Sequence, residues 1–219
     1  MTAFTRRSIV AASAVAAAGL APLPAAAQQA NGAASVSLEE ALRRRRSTRR
    51  FGTAEIPQEQ LLRLLWAANG VNRKEGGGRT APAWRGSKDI DIYVAREAGV
   101  HRYDPVAGTL EQVRGEDIRD KVSQTAYIQR APAVLIYVSD RKRLVEAAGA
   151  ESAGNEQALA IGAHVNAALI SQNVYLFAAA EGLGTVLIGG SADRDATKAA
   201  LSLGEGHSVV YIQPVGAPR

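Results

Sequence analysis

The sequence predicts an α+β sandwich: a mixed central sheet flanked by helices, with one long helix at its centre. Three observations carry this. Helix and strand patterns mix along the chain without the regular βαβ alternation of a doubly wound fold. Residues 133–139 form an apolar run rich in branched and aromatic side chains, the pattern of a central strand. Residues 155–181 read as one helix, alanine-rich and apolar on nearly every face. Such a helix is buried on most sides, as the spine of a core or as the contact between two copies.

The elements follow in order. Thr5-Arg6-Arg7-Ser8-Ile9-Val10 is a twin-arginine start, followed by an alanine-rich apolar run, Pro22, Pro24 and Ala25-Ala26-Ala27. That is the layout of an export signal over residues 1–27, too short and broken to span a membrane, and it implies a periplasmic or otherwise exported protein. An ordinary secretion signal is the alternative reading. Residues 28–36 are small and polar, a flexible leader to a single domain at 37–219. Ser37-Leu38-Glu39-Glu40 is a capping box that starts a helix running to about Arg45. Pro57 opens a second helix, with Leu61, Leu62, Leu64, Leu65 and Trp66 as its stripe, and Asn69-Gly70 closes it. Residues 72–88 read as a long polar loop of the kind that carries function or moves.

Residues 90–94 alternate as a strand, and 99–104 with 109–113 read as a hairpin turning at Asp104-Pro105. Residues 115–123 suit a short helix. In the long helix, Ile161, Val165, Ala168, Leu169, Gln172, Leu176 and Ala179 mark one face. Gly182 and Gly184 end it. A strand at 185–188, a helix capped by Asp193 to about Leu203 and a strand at 209–215 complete the chain.

Composition narrows the chemistry. The formal charge is +5, and it falls to +3 once Arg6 and Arg7 leave with the signal. Much of the excess lies in one stretch, Leu42-Arg43-Arg44-Arg45-Arg46-Ser47-Thr48-Arg49-Arg50-Phe51. A local cluster at a helix end reads as a pocket for one phosphate, because guanidinium forks suit phosphate oxygens and stay charged. A solvated basic turn or a nucleic-acid patch is the bland alternative, although nucleic-acid footprints spread over a face. With no cysteine, disulfides and thiolate chemistry are excluded. His101, His164 and His207 have no metal-binding spacing. The chain also lacks a P-loop, a nucleophile elbow and a Rossmann glycine motif.

Four pieces resemble, in order, the nitroreductase family of FMN-dependent oxidoreductases. They are Arg45-Arg46-Ser47-Thr48-Arg49 with Phe51; Arg79-Thr80-Ala81-Pro82; Gln172 through Gly184-Thr185 with Val186-Leu187-Ile188-Gly189-Gly190; and Gln213-Pro214-Val215-Gly216-Ala217-Pro218. The second piece is similar to a SagB-like branch. The resemblance implies a nitroreductase-like sandwich and a homodimer with FMN at the interface, much of which the long helix would supply. It implies ping-pong electron transfer to or from a small organic substrate such as a nitroaromatic or quinone. Arg45, Arg46, Ser47 and Arg49 would hold the FMN phosphate and ribityl chain, with Arg219 as a further phosphate contact. Thr185, Ile188, Gly189 and Gly190 would line the ring. Trp84 or Tyr127 would cover the substrate. Where relatives usually carry Ser and Asn, this chain has Ala83 and Gly86, which offer backbone groups only. An exported enzyme has little access to nicotinamide donors, so an exported redox partner, or a substrate it dehydrogenates, would be the donor. Two other readings remain: a flavin-binding protein without turnover, and a basic module for anionic polymers.

Overall fold

The structure, a computed structural model, describes residues 36–219. The export signal, and the leader apart from Val36, lie outside the described residues. α1 (Leu38–Arg44) starts as expected, with the Ser37 hydroxyl accepting from the Glu40 amide at 3.2 Å. Arg43 and Arg44 turn back onto Glu39 and Glu40 one turn earlier. α2 (Gln58–Asn69) follows Pro57 and buries Leu61, Leu64 and Leu65. The segment expected as a loop has structure of its own. β1 (Val71–Arg73) pairs with β2 (Gly78–Arg79), and tight turns stand at Glu75–Gly77 and Trp84–Gly86.

The main strands are β3 (Ile90–Arg96), β4 (Gly99–Asp104), β5 (Thr109–Arg114), β6 (Ala133–Asp140), β7 (Gly184–Thr185) and β8 (His207–Gly216). They form one sheet in the order β5-β4-β3-β6-β8-β7 with antiparallel neighbours throughout. Its parallel element is a single bridge, Ser47 to Thr185. β6 is buried except at Asp140, as its apolar run predicts. β7 is shorter than expected, because the chain leaves the ladder after Thr185 and returns once, at the Ile188–Ile212 bridge.

Short helices fill the connections. α3 (Arg119–Val122) is shorter than its sequence pattern suggested. α4 (Ala126–Gln129) and α5 (Arg141–Ala148) have no clear sequence signal. α7 (Arg194–Ala200) is capped by Asp193, whose carboxylate accepts from the Ala196 amide at 3.0 Å.

The long helix is α6 (Glu156–Ala180), started by Asn155. Its buried side differs from the face picked out by the sequence. Leu159, Gly162, Ala163, Asn166, Ala167, Ile170, Val174 and Ala178 face the core. Ile161, Val165 and Leu169 are instead 54%, 42% and 37% exposed. Small residues let α6 lie close to the molecule: a Cβ at Gly162 would stand 2.6 Å from the Trp84 ring. A buried polar knot fixes that contact. The Asp89 carboxylate, fully buried, accepts from the Ser87 hydroxyl at 2.8 Å, the Ser139 hydroxyl at 2.6 Å and the Asn166 amide at 2.6 Å. The Asn166 oxygen in turn accepts the Trp84 backbone N–H at 2.5 Å.

Candidate functional site

The basic stretch leaves the end of α1 and runs along the edge of the sheet. The Thr48 amide donates to the Thr185 carbonyl at 2.9 Å, and the Gly52 amide to the Ala217 carbonyl at 2.9 Å. The Arg219 amide donates to the Arg50 carbonyl at 3.1 Å, so the last residue is tied down. The strands approach closely because Gly184 has no side chain; a Cβ there would stand 2.6 Å from Thr48 Cγ2. Between this edge and the C-terminal half of α6 opens a cleft of about 670 Å³. Arg46, Ser47, Arg49, Arg50 and Arg219 line it, opposite Tyr175, Ala178 and Ala179.

The charges in the cleft are not cancelled from within. Arg43 and Arg44 have Glu39 and Glu40. Among the described residues, Arg45, Arg46, Arg49, Arg50 and Arg219 have no carboxylate within 4.0 Å. Like charges held this close raise the local potential and draw in an anion. Tyr175 organises the neutral wall. Its hydroxyl accepts the Leu187 N–H at 2.8 Å and shares a second hydrogen bond with Ser47 Oγ at 3.2 Å, in which either hydroxyl can donate. When Tyr175 is the donor, the Ser47 proton is available to a ligand. The Arg45 guanidinium lies 5.4 Å from the centre of the Tyr175 ring, a cation–π contact that orients both. Beneath them, Tyr137 donates its hydroxyl to Gln213 in the core. Burial first, and Tyr175 second, push the Tyr137 phenol well above its usual value, so it stays neutral.

The family model for nitroreductases matches residues 42–217, which takes in the sheet, α6 and the cleft lining except Pro218 and Arg219. The chain belongs to the nitroreductase family. A Methanocaldococcus jannaschii protein that carries the nitroreductase name is 29% identical over 170 residues, covering 73% of this chain and 82% of that one. The crystal structure of a Ralstonia eutropha protein bearing the same family name is 34% identical, with a TM-score of 0.77 and 87% of each chain covered. An Anabaena variabilis structure matches at 26% identity and a TM-score of 0.67, over 83% of this chain and 38% of its own.

Within this nitroreductase fold the expected site residues divide into groups. Arg46, Ser47, Arg49, Thr185 and Arg219 come together on the cleft, with Arg45 beside them through Tyr175. Thr185 acts as a strut: its hydroxyl donates to the Pro214 carbonyl at 2.9 Å and its side chain is buried. Ile188, Gly189 and Gly190 lie further along the seam, off the lining of the cleft. The Ile188 N–H and C=O are both engaged by Ile212, at 2.8 and 3.1 Å. Gly189 lies against Tyr211, where a Cβ would stand 3.2 Å from the ring, and Gly190 faces open space. Trp84 and Tyr127 are not on the cleft. Trp84 packs on Gly162, and Tyr127 stands 6.5 Å from the Phe51 ring.

Sequence reasoning missed Tyr175 and the Asp89 knot, and it took in Thr48 and Arg50 only as part of the basic stretch. Tyr175 had one available signal, a polar-tipped aromatic in the alanine-rich last turns of α6, ten residues before Thr185. The site fits a phosphate-bearing cofactor on chemical grounds: uncompensated guanidinium groups, a serine hydroxyl and tightly approaching backbone around one cleft.

Proposed function

We propose that this oxidoreductase of the nitroreductase family is an FMN-dependent enzyme acting on a small organic substrate of the nitroaromatic or quinone class. The cleft of uncompensated arginines carries the reading. A phosphate monoester is close to a dianion and needs charge-assisted donors from several directions. Arg46, Arg49, Arg50 and Arg219 supply the charge, Ser47 a directed hydroxyl, and Arg45 and Tyr175 hold Ser47 in place. FMN bound there would supply hydride and electron transfer, while the chain supplies binding and orientation. Catalysis would run in two half-reactions of ping-pong type, reduction by a donor and reoxidation by an acceptor. The exposed apolar row Ile161, Val165 and Leu169 supports a homodimer built on α6. The twin-arginine start supports export, with an exported redox partner or a dehydrogenated substrate as donor, as in the SagB-like branch.

One observation favours a second reading, a flavin-binding protein without turnover. Ala83 and Gly86 present no side-chain donor where relatives usually have Ser and Asn. A basic module for anionic polymers has less support, because the free cations converge on one cleft rather than spreading over a face.

The visible absorbance of the purified protein, and of the supernatant after heat release, tests the reading. A flavin spectrum near one FMN per chain is expected. Turnover with an artificial donor and acceptor then separates the enzyme from the silent flavoprotein. A colourless protein that also refuses added FMN overturns the FMN assignment.

A further inference from the structure

A second cavity, of about 340 Å³, opens beside the N-terminal part of α6. Its α6 wall comes from Leu159, Ala160, Ala163 and His164, and the cleft above uses Tyr175, Ala178 and Ala179 of the same helix. His164 and Tyr175 are three turns apart, roughly 16 Å along the axis. Gly189 borders this cavity, its Cβ position 3.2 Å from the Tyr211 ring and 3.9 Å from Arg194 Nη2.

The floor of the cavity is apolar, made by Leu144, Leu159, Ala163, Val209 and Val210. At its edge His164 and Tyr211 pair their rings, with centroids 5.2 Å apart. Most of its polar groups are already engaged. Ser139 donates to Asp89, and Arg141 is paired with Glu156 and with the Ala153 carbonyl at 2.5 Å. Arg194 differs. Among the described residues its guanidinium has no carboxylate partner, and its hydrogen bond to the Val210 carbonyl is long, at 3.4 Å. The neighbouring Asp193 carboxylate is turned away to cap α7. The pocket therefore has an apolar floor, an aromatic edge and one free planar cation with unused donors.

We propose that this cavity binds a small flat molecule with an apolar ring and a single carboxylate, held by Arg194 over the Val209–Val210 floor. An apolar ring matches the apolar floor, and the guanidinium fork matches a carboxylate in two parallel bonds. A dianion is less well suited, because Arg141 is neutralised by Glu156 and one net charge remains. As the seat of the substrate, this cavity rests on the FMN reading above; as a binding site, it does not.

The test titrates benzoate and its neutral isostere benzamide into the full-length protein by calorimetry, with and without FMN. Wild type is expected to bind benzoate at least tenfold more tightly than benzamide. Arg194→Gln brings the two within about twofold, and Arg194→Lys recovers part of the difference. Arg49→Gln, which alters the other cleft, leaves the preference intact. The proposal is overturned if wild type binds neither compound or shows no preference, if Arg194→Gln keeps the preference, or if Arg49→Gln abolishes it. The two readings fail separately. A protein that refuses FMN yet prefers benzoate loses the flavin assignment and keeps this site. One that takes up FMN without preferring benzoate does the reverse.

Discussion

Arg46, Arg49, Arg50 and Arg219 repel one another across a single cleft, and an anion relieves that repulsion as it binds. Removing one of these cations therefore weakens binding more than it harms the fold. Arg49→Gln is expected to raise the FMN dissociation constant about 10- to 100-fold, the loss of one charge-assisted contact of about 1.5–3 kcal/mol, read by flavin fluorescence titration. Tyr175 has a different role. Tyr175→Phe keeps the ring under Arg45 but removes the hydroxyl that joins Leu187 to Ser47. It should weaken FMN about 5- to 30-fold while leaving riboflavin, which lacks the phosphate, nearly unchanged. Equal losses for both ligands would show that Tyr175 supports the fold rather than the phosphate seat. Arg46, Arg49, Arg50 and Ser47 were legible in the sequence because they lie in one short stretch. Tyr175 was not, because its hydroxyl meets Ser47 across 128 residues of chain.

Helix starts were readable, since Ser37, Asn155 and Asp193 each accept a hydrogen bond from the first turn they precede. α4 and α5 were not, being too short to establish a period. Which side of α6 faces inward was not legible, for a physical reason: a helix apolar all round carries almost no directional signal. Its inward side is instead set by small size and by one amide. Gly162→Ala gains about 0.5–1 kcal/mol of helix propensity but drives a methyl into the Trp84 ring. Overpacking of about 1–3 kcal/mol wins, so the urea midpoint should fall. Asn166→Ala leaves the Trp84 amide without its acceptor and takes a donor from buried Asp89. A loss of about 1–3 kcal/mol for each orphaned group is expected from the same urea curves. An unchanged midpoint would mean that the knot does not hold the loop to the helix.

The sandwich class was visible in the mixture of patterns, whereas the strand order was not. Nothing local reveals that β8 inserts between β6 and β7, because that choice is made by long-range pairing. The exposed row on α6 belongs to this scale too. Leu169→Glu puts a charge into the proposed contact between copies, and light scattering should then report half the wild-type mass, with lower FMN content. A wild-type protein that is already monomeric would refute the dimer. The joining of Arg50 to Arg219 and of Thr48 to Thr185 also bears on biosynthesis. Translation delivers the arginine segment well before Thr185 and Arg219. A nascent chain that has not yet reached Thr185 shows its basic stretch without the frame that shapes the cleft. Anion capture is thereby made to wait for closure of the fold, so the basic segment cannot seat a ligand on its own.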